Sequence, residues 1–283
     1  MRVLNRKRVN LPADPWSRLH IDTSDSVRIE TTVGAAVDAR LMVSITGPRG
    51  AGKTHSVRRA LDAADVKSVE PLRLMRERLH MGDIEHAMIR ELAPDERPRR
   101  SGEARSHQVR RVLGKRSQLG PIVLVIDDAH VLHHQTIRAL KRLRELSWLR
   151  VSPLLGIVLI GQSDAAAAIP EVGLRSDSVR LAGLAPVEAA TALNQVLGTY
   201  RIDEDVVESL ATSERARTWL DLIRLVDDCL AEAAARGEDR ITAAGAHEVL
   251  HPGSRPAPDI EAPAADDEAV DQALAGLGLR EAV

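Results

Sequence analysis

The chain has 283 residues, 44% of them hydrophobic and 28% charged, with a net charge of −2. Such a composition fits a soluble globular protein with one sizeable α/β core and a smaller attachment, and it excludes a polycation, so any nucleic-acid affinity has to come from local patches. One cysteine, Cys229, excludes an intramolecular disulfide and points to a reducing cytoplasm. No apolar run approaches the ~18 residues that span a membrane. The N-terminal Met1–Val9 is basic but lacks the apolar stretch of a secretory signal. Without Phe and with one Tyr and three Trp, the core has to be built from Leu, Val, Ile and Ala.

Residues 1–40 read as a lead-in with few signals. Residues 41–184 alternate strand and helix patterns. The strands are expected at Leu41–Thr46, Val66–Leu72, Ile122–Ile126 and Gly156–Ile160. Helical stretches between them, the first over Lys53–Ala64, argue for a parallel sheet with crossover helices. Residues 185–251 lack strand signals and read as a small all-helical domain of three or four amphipathic helices. The longest runs from Thr218 to Arg236, and Thr242 is placed to cap the last. From residue 252 to 283 the chain turns Pro-rich and then acidic, which reads as a flexible tail with a weak helix candidate at Asp267–Val283.

Two motifs carry chemistry. Gly47-Pro48-Arg49-Gly50-Ala51-Gly52-Lys53-Thr54 matches the phosphate-loop pattern G-x-x-x-x-G-K-[ST] at every fixed position. It follows an apolar strand and opens a helix, the context in which backbone N–H groups and a helix N-terminus can close around phosphate. Lys53 is placed to reach the outer phosphates of ATP, and the Thr54 hydroxyl to ligate Mg²⁺. The second motif is Ile122–Ile126 followed by Asp127 and Asp128. Five aliphatic residues suit a strand buried on both faces, and carboxylates at its C-terminal end stand where ligands collect in open α/β sheets. Asp127 is placed to hold the magnesium and Asp128 to orient or deprotonate the attacking water.

With these motifs and the helical appendage, residues 30–250 resemble the AAA+ ATPases. They are most similar to the transposition-helper branch of MuB, TniB and TnsC type, with ExeA-type ATPases as near relatives. Besides the phosphate loop, the similarity rests on three segments. Asp127-Asp128-Ala129-His130-Val131-Leu132 is similar to "DEAH-x-L", and Gly156–Ser163 to "hhhhGQP". Leu181–Pro186 resembles the segment that opens the helical lid. The resemblance implies a polar sensor at Gln162. It implies an arginine finger at Arg175, with Arg180 as the alternative, acting on ATP held by a neighbouring subunit. It also implies a lid sensor at Arg217, with Arg215 close by. Two departures stand out. Aspartate replaces the usual glutamate at position 128, and being one methylene shorter it implies slow hydrolysis. Residues 1–40 are too short for the additional N-terminal DNA-binding domain of MuB-like proteins.

Between Arg97 and Arg116 the sequence carries eight basic residues, Arg97, Arg99, Arg100, Arg105, Arg110, Arg111, Lys115 and Arg116, against one acid, Glu103. In the resembling families the loops facing the central channel lie here, which implies contacts to the backbone of duplex DNA without sequence preference. A solvated flexible loop is the bland alternative. Arg138, Lys141, Arg142 and Arg144 share a helix with Ile137, Leu140, Leu143 and Leu146, and read as its solvated face. His130, His133 and His134 invite a metal-site reading but have no further ligand at suitable spacing. The expectation is a slow ATPase that forms a ring or filament on duplex DNA, regulating transposition through a transposase or similar recombinase. A STAND-like or ExeA-like protein-interaction switch is the alternative, and an ATP-binding scaffold with negligible turnover a further one.

Overall fold

The computed structural model describes residues 2–17, 19–73 and 78–252. Five parallel strands, β1 (Met42–Thr46), β2 (Lys67–Val69), β3 (Ile122–Ile126), β4 (Gly156–Gly161) and β5 (Ser176–Arg180), form one sheet in the order β2-β3-β4-β1-β5. The run Ile122–Ile126 is buried throughout because helices cover both faces of its strand. Its residues alternate: Ile122, Leu124 and Ile126 pack on one side of the sheet, Val123 and Val125 on the other.

The first side holds α4 (Met81–Leu92), α5 (Gly102–Arg116), α6 (His134–Arg144) and the single turn α7 (Pro170–Gly173). Against the other lie α2 (Ser24–Asp38) and α3 (Lys53–Ala63). In α6 the residues Ile137, Leu140 and Leu143 are buried, as their spacing requires, while Arg138 and Lys141 pair with Glu171 and Glu145.

The remaining helices build a separate apolar core. They are α8 (Pro186–Leu197), α9 (Glu204–Thr212), α10 (Trp219–Arg236) and α11 (Ala243–Leu250), joined by Val9 and Leu11, which follow α1 (Arg2–Arg8). Thr218 caps α10 by accepting from the Asp221 N–H, and Thr242 caps α11 through Gly245. Helix α1 lies on α10, where the Arg6 guanidinium makes two 2.8 Å bonds to the buried carboxylate of Asp227. Arg201 ties the next turn through the carbonyls of Val9 and Asn10. The first forty residues thus hold two helices with opposite allegiances, α1 to the helical core and α2 to the sheet.

Three sequence expectations differ from the structure. The second strand is shorter than Val66–Leu72, because Glu70 and Pro71 turn the chain away and Leu72 is exposed. A fifth strand, β5, was not expected. Its sequence Ser-Asp-Ser-Val-Arg has no apolar run, since an edge strand pairs on one side and is only partly covered. The stretch Arg97–Arg116, expected as a loop, is a short strap followed by helix α5. That helix buries Val109, Val112 and Leu113, a narrow stripe hidden in sequence by the surrounding charge. The expected tail and its helix candidate lie outside the described residues, apart from Pro252. Among the described residues no helix is long and apolar enough to cross a membrane.

Candidate active site

The C-terminal edge of the sheet gathers the chemistry. β1 ends at Thr46 and the chain enters the loop Gly47–Gly52, whose glycines at 50 and 52 take φ of 83° and 85°. Only glycine adopts this path without strain, and here it also lacks the space for a side chain. A Cβ on Gly50 would sit 2.4 Å from Leu220 Cβ, and one on Gly52 3.0 Å from Trp219 Cδ1. The first turn of α10 is therefore pressed onto the phosphate loop, and the Leu220 N–H reaches the Gly50 carbonyl at 3.4 Å.

Lys53 and Thr54 open α3. The Lys53 ammonium donates to the carbonyls of Gly47 and Pro48 at 2.9 and 2.7 Å. Burial pushes its pKa down, while Asp127 and Asp128 pull it back up. The Thr54 hydroxyl donates to Asp127 Oδ2 at 2.8 Å. This bond joins the two motifs, and a hydroxyl beside a carboxylate is the hard-oxygen set that suits Mg²⁺. Asp128 has φ 46°, a left-handed conformation that aspartate tolerates better than most residues, and its N–H donates to Asp127 Oδ1 at 2.8 Å.

Around these groups lies a cavity of about 930 Å³, lined by Arg49, Lys53, Thr54, Asp127, Asp128 and Gln162 among others. Gln162 stands at the end of β4, and its N–H points at His130 Nδ1 at 3.4 Å. Just beyond, the Asp164 carboxyl joins the loop after β4 to the middle of β1 and β5, at Ser44 and Ser178. Burial raises its pKa, but hydrogen bonds from Ser178, Ala167, Ser44 and Ala166 outweigh that and hold it below the ordinary value.

Sequence reasoning missed two arginines of this cavity. Arg73 and Arg78 come from the connection between β2 and α4 and face the phosphate loop across it. Arg73 donates to the Asp127 carbonyl and stands 4.0 Å from the Asp128 carboxylate. Arg78 approaches His133 Nε2 at 3.3 Å, and His133 stacks on His80. Neither arginine belongs to a motif, and no pattern signalled their approach. The clamp of Trp219 and Leu220 was equally silent, although Thr218 marked where its helix begins.

Other expected site residues lie elsewhere. The Arg217 guanidinium pairs with Glu214 and does not line the cavity. Its carbonyl accepts from Leu184 N–H at 2.8 Å and crowds Gly183 at the connection to α8. Arg215 turns to Asp228 and the Val249 carbonyl. Arg175 precedes β5 and so stands at the opposite, N-terminal edge of the sheet, paired with Glu145. It cannot reach the phosphate loop of its own chain. Arg180 ends β5 beside Thr46, at the phosphate-loop edge.

Of the eight basic residues, Arg105 is bound to Glu85, which also accepts from Ser106, and Arg111 is bound to Glu96. The bonds from Arg111 and Gln108 hold the Glu96 carboxyl down to about 2. Arg110 donates to the Ser147 carbonyl. Arg97, Arg99, Arg100, Arg110 and Lys115 are exposed and Arg116 is half-buried.

A strand–loop–helix with its lysine and threonine, an acidic strand end, a glutamine at the end of β4 and a helical unit closing on the loop together decide the fold class. The fold is that of the AAA+ ATPases. Residues 37–169 match the family model described as an AAA domain. No curated protein matches the sequence. Among solved structures, the AAA+ fold here is similar to Cdc6p from Pyrobaculum aerophilum (TM-score 0.59, 14% identity, 84% of this chain and 70% of that one). It is similar to a chain of Drosophila ORC bound to DNA (0.61, 13%, 88% and 65%). A third similar structure is the RuvB Holliday junction branch migration motor of Thermotoga maritima (0.51, 16%, 80% and 67%). The chain thus spans about two thirds of the length of each.

Proposed function

We propose that this AAA+ protein is a slow ATPase that binds duplex DNA without sequence preference when loaded with ATP, oligomerises on it, and regulates transposition by recruiting or stimulating a transposase or similar recombinase. The observation that carries the nucleotide part is the bond between Thr54 and Asp127, which unites the phosphate loop with the acidic strand end. The exposed cations of 97–116 support the DNA part, as does the similarity of fold to an ORC chain solved with DNA. The cytoplasm is where such a protein would act.

In this reading Lys53 leaves its loop carbonyls for the β- and γ-phosphates of ATP, and the loop N–H groups hold the phosphate chain. Thr54 and Asp127 hold Mg²⁺, which when bound neutralises charge on the phosphates. Asp128 orients the attacking water and accepts its proton, and Gln162 fixes that water or the γ-phosphate. Arg175 acts in trans: it leaves Glu145 and stabilises transition-state charge on ATP held by the next subunit. Arg217 reports the nucleotide state only after the lid turns its side chain from Glu214 toward the cavity. ATP would then sit between subunits, which links assembly to nucleotide state.

The test is sedimentation of the full chain with random-sequence duplex DNA, with ATP, ADP or no nucleotide, at two salt concentrations. Large complexes formed with ATP alone and weakened by salt support the reading. A protein that binds ATP and leaves DNA in the supernatant defeats it, and favours a protein-interaction switch of STAND or ExeA type.

A further inference from the structure

The cavity at the phosphate loop holds more cationic charge than its two motifs account for. Besides Lys53 it is lined by Arg49, Arg73 and Arg78, against the carboxylates of Asp127 and Asp128. Two of these cations are already engaged. Lys53 donates to carbonyls of its own loop, and Arg73 donates to the Asp127 carbonyl and stands beside the Asp128 carboxylate. Arg78 differs. Its guanidinium meets no carboxylate among the described residues, and its Nη1 stands 3.3 Å from the ring nitrogen Nε2 of His133. Such a contact leaves the positive charge uncompensated and most of the guanidinium donors available.

The backbone that carries Arg78 is fixed. Leu79 is buried, and its carbonyl accepts from the Thr136 hydroxyl of α6 at 3.4 Å. His80 caps α4: its N–H donates to Asp83 Oδ2 at 2.9 Å, and its ring stacks on His133. Arg78 is thus held between the starts of α4 and α6. His133 belongs to the connection from Asp128 to α6, so Arg78 stands on the side of the cavity where the acidic strand end lies. Neither arginine that the resemblance implies lines this cavity, for Arg217 pairs with Glu214 and Arg175 with Glu145.

We propose that Arg78 reads the terminal phosphate of ATP in cis, with His133 positioning its guanidinium. A planar fork of donors suits the oxygens of a phosphate, and ADP offers no group at that place. A single chain then tells ATP from ADP before a neighbour brings its Arg175. This rests on the nucleotide-binding reading above and adds to it the group that senses the third phosphate.

The test titrates full-length wild type, R78Q and R78K with Mg-ADP and with the non-hydrolysable β,γ-imido analogue of ATP, by calorimetry. Arg78 is exposed, so both variants should melt like wild type. R78Q should weaken the ATP analogue about tenfold and leave ADP as in wild type. R78K keeps the charge without the fork and should recover part of the loss. Equal weakening of both nucleotides would reduce Arg78 to general attraction by the cavity, and no weakening would make it a solvated side chain. Either result overturns the proposal while nucleotide binding stands. A wild type that binds neither nucleotide brings down that reading, and this one with it.

Discussion

The two edges of the parallel sheet are built on different principles. At the C-terminal edge, β1, β3 and β4 deliver a lysine, a threonine, two aspartates and a glutamine into one cavity, and α10 closes on the loop that starts it. At the N-terminal edge the described residues form a smaller cavity of about 200 Å³, lined by Lys141, Arg144, Glu145 and Arg175 among others. Arg175 is parked on Glu145, and a strained hairpin shows Leu149 and Arg150 to solvent. The first edge is equipped to hold a small molecule; the second is equipped to touch something else. In the proposed assembly, with ATP between subunits, the second edge of one copy would complete the first edge of the next. If the proposed assembly forms, the contrast teaches that half of an active site can look idle in a single chain.

The sharpest way to break this comparison is Arg175→Ala. Loss of a trans-acting arginine should cut kcat about 1,000-fold while ATP affinity stays near wild type, measured by steady-state turnover beside nucleotide titration. Unchanged turnover would return Arg175 to the role of a surface ion pair. Asp128→Asn comes next, with kcat falling about 100-fold, and the ATP-bound assembly on DNA should persist in sedimentation instead of decaying. An unaltered assembly lifetime would instead favour a scaffold without turnover. Gly50→Ala probes the clamp of α10. It forces a left-handed alanine against Leu220 and should destabilise by about 3 kcal/mol in denaturant unfolding. Gly34→Ala, in α2 with open space around its Cβ position, should stabilise by about 0.5–1 kcal/mol.

The smallest effect concerns pH. The Glu96 carboxyl is held down to about 2 by Arg111 and Gln108, against a usual 4.5. A depressed carboxylate contributes stability above its unfolded pKa and loses it as pH falls through the folded one. The strap at 93–101 should therefore loosen from α5 between pH 4.5 and about 2. Hydrogen exchange at the Arg99 amide, which donates to Gln108, reports this, and Glu96→Gln should flatten its pH dependence.

The sequence made the first edge legible and left the second nearly silent, for a physical reason. The loop Gly47–Thr54 is local: glycine freedom, a lysine and a helix start must fall at fixed spacing, so the pattern survives without tertiary information. Ile122–Ile126 is legible because burial on both faces leaves an unbroken aliphatic run. Arg73 and Arg78 reach the cavity by the path of a loop, which no spacing encodes. β5 borrows its order from β1 and needs no apolar run of its own. In α5 six charged residues concealed the buried Val109, Val112 and Leu113, and two of those charges, Arg105 and Arg111, proved to be ion-paired within the fold. α1 was unreadable because its anchor, Asp227, lies more than 200 residues away in sequence.

One measurement addresses the union of the two edges directly. Lys53→Ala should lose ATP binding but keep Arg175; Arg175→Ala should keep ATP binding but offer no finger. Each alone should be inactive. Mixed in equal amounts with ATP, they should regain a substantial fraction of wild-type turnover, because an intact Arg175 from one chain then faces an intact phosphate loop on the other. A mixture as inactive as its components would contradict the account.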